Sequence, residues 1–561
     1  MSVAESTVTP VHAFADRAWE QFLELYPLWA TLQGDHRWDD RLDDPGPAGR
    51  AAAQAVADGW AAEIDGFSRL ELSVEDHITL STIGFVIERL RESHALRLWE
   101  FEAMDALDGP QAFTADLARL QRADDPAELD KLLARLAAYP AWMAAHRDNL
   151  AAGLASGRTA APAVVARCLT QTRRLAETPA QQHPLVLAHA DLGPETQSAL
   201  EAAIDAHVQP ALRDWLAMLE EYQPHARAGD GIMHLADGRE LYDHYMYAWT
   251  TIVEDPVQVH EYGRARLAET TEQAAAIAAE LGFAGVPALR AHLEIDPQNH
   301  VTEATQLVAT AKELVARAEA AAPRWFGRVA REGCDVLAVE PHAEQESPPA
   351  FYVPPSGDGS RPGRYFINTH DLASRHLHRM AAMAFHEAVP GHHFQLAIEQ
   401  ELRDLPKFRR FGSRMAAGAF VEGWGLYTER LAEEMGLYHT PLERFGALEL
   451  QAWRAARLVV DTGMHALGWS RQQSIDLLVE QAGLSRLEAE TETDRYIGWP
   501  GQALTYMLGQ REILDLRARL ETRDGDRFDH RAFHDEVIGH GSLALAVLRE
   551  QLPGWVQPRD H

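Results

Sequence analysis

Apolar residues recur every three or four positions through long Ala-, Leu-, Glu- and Arg-rich stretches, at about 12–34, 49–68, 74–98, 126–156, 195–222, 256–283 and 302–327. That period predicts amphipathic helices. Proline and glycine mark the breaks, as at Pro184 and Gly193-Pro194. Pro210 falls inside a helical pattern and predicts a kink, since it has no N–H to donate and its ring crowds the preceding turn. Between about 334 and 370 the period changes: Cys334 to Val339, Ala350 to Val353 and Arg364 to Asn368 read as short strands. The Gly- and Pro-rich loop 355–363 joins the last two; it is no phosphate cradle, because it leads into a strand and lacks a Gly-Lys-Ser/Thr ending. An exposed edge of this sheet would suit an extended peptide, with Tyr352 and Asn368 as contacts. The pattern predicts a mainly α fold with a small β-sheet, one body over 1–561 with approximate lobes 12–330 and 331–561.

Directly after the strands comes Phe385-His386-Glu387-Ala388-Val389-Pro390-Gly391-His392-His393-Phe394-Gln395, preceded by the apolar run Met380 to Phe385. Imidazoles are preferred zinc ligands, and a carboxylate beside a metal-activated water is a general base. In the familiar zinc-protease motif the histidines stand at i and i+4, on one helix face. Here i+4 is Pro390. On an unbroken helix His392 would lie about 9 Å along the axis from His386 and roughly 240° around it, while His393 would face correctly but about 10.5 Å away. Neither closes a site whose nitrogens must each be about 2 Å from the metal. Pro390 cannot donate to the His386 carbonyl, and Gly391 tolerates almost any backbone angle. The helix must therefore break or bulge, and a bulge absorbing two residues would put His392 where an i+4 histidine stands.

A catalytic site needs a third ligand, with the fourth position left for water. Glu422, in Phe420-Val421-Glu422-Gly423-Trp424, is the candidate: among apolar neighbours its carboxylate would be costly unless a cation met it. The competing reading is an acid in a helix's first turn, favoured by the dipole. Glu429, two turns on, could orient a metal ligand, but reads more readily as an ion-paired surface acid. An oxyanion formed at an amide carbonyl needs a donor. The run Arg495-Tyr496 to Tyr506 offers Tyr506 or Tyr496 for that role and Arg495 or Gln502 as substrate anchors; His540 is a weaker candidate and His393 a further substrate contact.

The segment from His386 to Gln395, the Glu422-Gly423-Trp424 helix and the run Asp494 to Tyr506 together resemble the bacterial domain-of-unknown-function family 885, as do Tyr26 to Leu42, Ala350 to Pro355 and Arg364 to Thr369. The resemblance covers nearly the whole chain. It implies a mostly helical, two-lobed, metallopeptidase-like fold with a central cleft, of the gluzincin kind, with His386, His392 and Glu422 as ligands of one zinc ion and Glu387 as base. It favours His392 over His393, whose equivalent is often not histidine. Gly425 stands where the family commonly has alanine, a change expected to be too small to matter. The implied activity is zinc-dependent hydrolysis of peptide bonds. Alternatives are an amidase acting on a small acylated amine or modified peptide, a non-catalytic scaffold clipped by a metal with His393 as fourth ligand, and manganese, iron or cobalt in place of zinc.

With 46% hydrophobic and 24% charged residues the chain reads as globular, and at 561 residues it is long enough for several domains or one large helical body. A formal charge of −32 disfavours nucleic acid and anionic membranes as partners. Only Cys168 and Cys334 occur, which suits a reducing compartment. The opening residues show no basic segment or apolar core of a secretory signal, and no stretch is long enough to span a bilayer, so the expected location is the cytoplasm.

Overall fold

The structure, a computed structural model, describes residues 9–340, 344, 347–357, 359 and 361–557. It is 72% helix and 3% strand, which fixes the class as mainly α. Proline sets the start of many helices: Pro10, Pro27, Pro47, Pro126, Pro162, Pro184, Pro194, Pro256 and Pro441 each take the first helical position. There the missing N–H costs nothing and the fixed φ suits the helix. Pro184 and Pro194 therefore begin helices as well as ending the stretches before them. The pattern over 12–34 divides at Tyr26-Pro27 into Pro10–Leu25 and Pro27–Leu32. The irregularity expected at Pro210 takes the form of a π-helical turn, Ile204–Val208, between Pro194–Ala203 and Gln209–Tyr222. Pro162–Glu177 and Gly238–Thr250 are helices that the periodic stretches did not include. The first was legible in the spacing of Val164, Cys168, Leu169, Thr172 and Leu175, all buried, although Val and Thr are weak helix formers.

Strands β1 (Cys334–Ala338), β2 (Ala350–Val353) and β3 (Gly363–Ile367) form the sheet in the order β1-β3-β2. β3 runs parallel to β1 and antiparallel to β2, and Tyr365 at its centre is paired with Val336 on one side and Tyr352 on the other. Six helices follow that carry the site: α1 (Leu377–Glu387), α2 (His392–Glu401), α3 (Gly418–Glu434), α4 (Pro441–Ala466), α5 (Arg486–Gly498) and α6 (Thr505–Asp524).

The buried apolar residues do not divide at 330. One cluster joins Leu98 to Leu267 with Leu426 and with Ala452 to Leu508; a second joins Val301 to Phe326 with β1, β3, α1 and the C-terminal helices; a third joins Val11 to Ile87 with Phe408 and Phe411. The helix Pro256–Glu280 comes so near α4 that a Cβ at Gly263 would lie 2.7 Å from Leu458 Cβ. The expected lobes 12–330 and 331–561 thus share their cores.

Several buried histidines are held neutral inside this frame. His465 accepts from the Ile232 N–H at 3.0 Å and donates to the Tyr496 carbonyl at 3.0 Å. His534 donates to the Trp325 carbonyl at 2.9 Å and accepts from the Tyr427 hydroxyl at 2.7 Å. Burial lowers the pKa of each to about 3. A histidine depressed in the folded state binds its proton more readily once unfolded, so its contribution is complete above the ordinary value near 6.5 and is lost as the pH falls toward 3. Thermal unfolding followed by circular dichroism should show stability falling from pH 6.5 to 4, by about 1.4 kcal/mol per pH unit for each such histidine; a flat profile would contradict this.

Candidate metal centre

Of the two forms expected for the His-Glu-to-His-His segment, the structure has the break. α1 ends at Glu387, residues 388–391 turn, and α2 begins at His392. A Cβ on Gly391 would stand 1.9 Å from the His386 carbonyl oxygen, so only glycine lets the chain fold back this tightly. Carbonyls freed by the break are taken up by α3: the Trp424 indole donates to the Pro390 carbonyl at 2.9 Å and the Thr428 hydroxyl to that of Phe385 at 3.0 Å. The His386 and His392 rings end face to edge, 4.7 Å apart at 83°.

Glu422 completes the cluster from α3. Its Oε2 lies 3.6 Å from His386 Nε2 and 3.5 Å from His392 Nε2, and the three donor atoms all fall within 4.8 Å of one another. Among the described residues this is the one such group of three or more His, Cys, Asp or Glu side chains. Glu422 is the fifth residue of α3, and the first turn holds no acid, so the dipole does not explain it. Glycines let the supporting backbones close in. A Cβ on Gly423 would sit 2.4 Å from Gly509 Cα in α6, and one on Gly425 would be 2.8 Å from the His386 ring. The expectation that alanine at 425 would be immaterial is therefore corrected: in this chain the imidazole fills that space.

Glu429 is buried, not a surface acid as expected. It accepts from His386 Nδ1 at 2.8 Å, which directs His386 Nε2 toward Glu422. Gln451 donates to its other oxygen at 3.4 Å, and Arg454 stands 3.6 Å away. Burial opposes a charge on His386, yet the flanking Glu422 and Glu429 carboxylates outweigh it and carry the pKa up to about 9. For Glu422, burial is likewise outweighed by the two imidazoles, which hold its carboxyl well below the usual range. Two acids converging on one imidazole is a charge balance that a divalent cation would satisfy. Glu429→Gln should weaken zinc binding by about 10- to 100-fold with the fold retained, measured by competition with a chromophoric chelator; unchanged affinity would remove Glu429 from this role.

Glu387, half-buried at the end of α1, follows His386 directly. After burial, its charge is the next influence raising the pKa of the buried Tyr365 hydroxyl on β3. Tyr506 faces the cluster: its ring stacks on His386 at 6.2 Å and 26°, and the Arg457 guanidinium lies 4.5 Å from its centroid. Burial, then the Glu422 charge, raises its pKa, so the hydroxyl keeps its proton.

Other expected site residues are engaged elsewhere. The Tyr496 hydroxyl donates to Glu492 at 2.7 Å and accepts from Arg457 at 2.8 Å and Trp453 at 3.1 Å, which leaves nothing for an oxyanion. Arg495 donates to Glu492 at 2.8 Å and to Gln502 at 2.7 Å, so both proposed anchors are spent on each other and on Glu492. His393 turns away from the cluster: it accepts from the Tyr352 hydroxyl at 2.9 Å and donates to the Glu332 carbonyl at 3.0 Å, tying α2 to the sheet. Tyr352 is consumed by the same bond. Asn368 donates to the carbonyls of Glu344 and Ser347 at 2.7 and 2.8 Å and accepts from the His370 N–H at 2.9 Å, a local turn rather than a peptide contact. His540 lies between Glu75 and Glu536 and stacks on Trp555 at 3.8 Å. Sequence reasoning passed over Arg454 and Arg457; the signal available was a pair of arginines inside the otherwise apolar stretch of α4, Ala452-Trp453-Arg454-Ala455-Ala456-Arg457-Leu458.

Two solved structures share the fold. One is described as "the putative lipoprotein from Colwellia psychrerythraea", with TM-score 0.89 and 23% identity over 97% of this chain and 98% of that one. The other is "a putative lipoprotein of unknown function from Shewanella oneidensis", with TM-score 0.76 and 20% identity over 97% of this chain and 100% of that one. The expected cytoplasmic location is corrected on this finding, since both same-fold proteins are described as lipoproteins. Among the described residues, no helix is long and apolar enough to cross a membrane. A comparison with curated proteins finds no match. Residues 27–552 match the model of a bacterial family of proteins of unknown function, and the chain belongs to that family, DUF885.

Proposed function

We propose that the protein is a zinc-dependent, gluzincin-like hydrolase that cleaves peptide or related amide bonds in the cleft of a metallopeptidase-like fold. The observation that carries this reading is the convergence of His386 Nε2, His392 Nε2 and Glu422 Oε2 within 4.8 Å, with Glu387 next in the chain to one of them. Two imidazoles and one carboxylate are a donor set suited to zinc, and three protein donors leave a position for water. When bound, zinc polarises that water and the amide carbonyl. Glu387 takes the proton as water attacks and passes it to the departing amine nitrogen. Glu429 fixes the orientation of the His386 ring through Nδ1. Tyr506 donates to the oxygen of the former carbonyl, its phenol kept protonated by burial and the Glu422 charge and its ring covered by the Arg457 guanidinium.

A metal-clipped scaffold is the second reading. It calls for four protein donors, and the placement of His393 against the sheet counts against it. Zinc-loaded protein incubated with a peptide library and a panel of N-acyl amines, read by mass spectrometry, should release new amine termini, and a chelator should stop the release. Cleavage confined to acyl amines would mark an amidase; no cleavage of either set with one zinc bound per chain would end the hydrolase reading.

A further inference from the structure

A cavity of about 640 Å³ lies among the N-terminal helices, the helix Gly238–Thr250, residues 414–415 and the end of α5. Its wall includes Arg414, Met415, Trp249, Trp499 and Pro500. Trp249 packs on Gly418, whose Cβ would lie 3.4 Å from the indole. Gly418 opens α3, four residues and about 6 Å of helix before Glu422. Trp499 and Pro500 form the turn after α5, from which the chain runs through a short 3-10 turn to Tyr506. The wall of the cavity and the cluster are therefore built from neighbouring stretches of chain, Gly418 standing four residues before Glu422 and Pro500 six before Tyr506.

Arg414 differs from the other arginines of this wall. Arg89 donates to the Met415 carbonyl at 2.9 Å and lies over Trp249, and Arg227 donates to the Thr159 and Asp230 carbonyls at 3.3 and 2.8 Å. Two of the wall's three acids are also engaged, Glu102 accepting from the Tyr245 hydroxyl at 2.9 Å and Asp105 from the Trp499 indole at 2.5 Å, while burial and then the Asp105 charge push the pKa of the third, Asp108, up to about 7. The Arg414 guanidinium makes no hydrogen bond or ion pair with any described residue. Glu399, the acid whose charge bears on it, is held instead by the Ser542 N–H at 2.9 Å and hydroxyl at 2.8 Å. A partly buried guanidinium without a partner is expensive, and its planar fork of donors matches a carboxylate.

Resting on the hydrolase reading, we propose that the cavity receives the end of a peptide substrate and that Arg414 binds its terminal carboxylate, making the enzyme a peptidase that acts at free C-termini. The shared chemistry is a carboxylate, which a Glu or Asp side chain also offers, so the test separates the two.

Calorimetry on zinc-loaded Glu387→Gln protein would compare N-acetyl-Ala-Ala-Phe, its C-terminal amide, and N-acetyl-Ala-Ala-Glu amide. The free acid should bind at least about tenfold more tightly than both amides. Arg414→Gln in the same background should abolish that preference while leaving the amides within about twofold, and Arg414→Lys should keep part of it. Equal binding of the acid and its amide, no binding of any probe, a preference that survives in Arg414→Gln, or an equal gain for the Glu-bearing amide would each overturn the assignment. Where Arg414→Gln proves unfolded by circular dichroism, Arg414→Lys decides: a preference undiminished there counts against a bidentate pair. Because binding is read without turnover, the preference for the free acid would stand even in a protein that hydrolysed nothing, and its absence would count against the pocket even in an active enzyme.

Discussion

Glu387→Gln should lower amide hydrolysis by about 10³-fold and leave one zinc per chain. The substitution keeps the shape of the side chain and removes only its ability to accept a proton. Glu387 is not among the three converging donors, so metal content should not change. The sequence His386-Glu387 puts the proposed ligand and the proposed base on consecutive residues, about 100° apart around α1, so the two side chains leave the helix in different directions. Steady-state kinetics with elemental analysis of the same preparation makes the comparison. Undiminished hydrolysis would move the base elsewhere, and loss of zinc would make Glu387 a ligand.

The second large effect is expected at His386. His386→Ala should take zinc content from one per chain to near zero, and activity with it. His386 is the centre of the charge arrangement: its Nε2 is 3.6 Å from Glu422 and its Nδ1 2.8 Å from Glu429, and among the described residues no other group joins the two acids so closely. Without the ring, Glu429 retains Arg454 at 3.6 Å and Gln451 at 3.4 Å but loses its best partner, which should cost about 1–3 kcal/mol of stability. The paired measurement is zinc by elemental analysis and melting temperature by calorimetry. Full zinc occupancy in the variant would rule out His386 as a ligand, and an unchanged melting temperature would mean that Glu429 does not depend on it.

The central cluster was legible because its evidence is local. The i+4 proline disqualifies an unbroken helix, the adjacent glycine permits the return, and a carboxylate beside Val421 and Trp424 asks for a cation. The helix class was legible for the same reason, since period and proline position are properties of short windows. The errors share a cause as well. Tyr496, His393, Tyr352 and Asn368 are polar groups in suggestive places, but each is satisfied by a partner that folding brings from elsewhere, Trp453 and Arg457 for Tyr496, Glu332 and Tyr352 for His393, Glu344 for Asn368, whereas Arg495 and Gln502 are spent locally on each other and on Glu492. Nothing in a linear reading tells a spent hydroxyl from a free one. Glu429 erred in the opposite direction. Seven residues after Glu422 it could point to the ligands or to water, and only the packing of α4 against α1 and α3 decides.

One consequence of the Gly423–Gly509 crossing reaches beyond packing. With no side chains between them, α3 and α6 are pinned together beside the His386, His392 and Glu422 cluster, so the carboxylate at 422 and the phenol at 506 ride on a single stiff beam. Any breathing of the molecule must then be borne by its other parts, and the distance between these two side chains should stay constant as it moves.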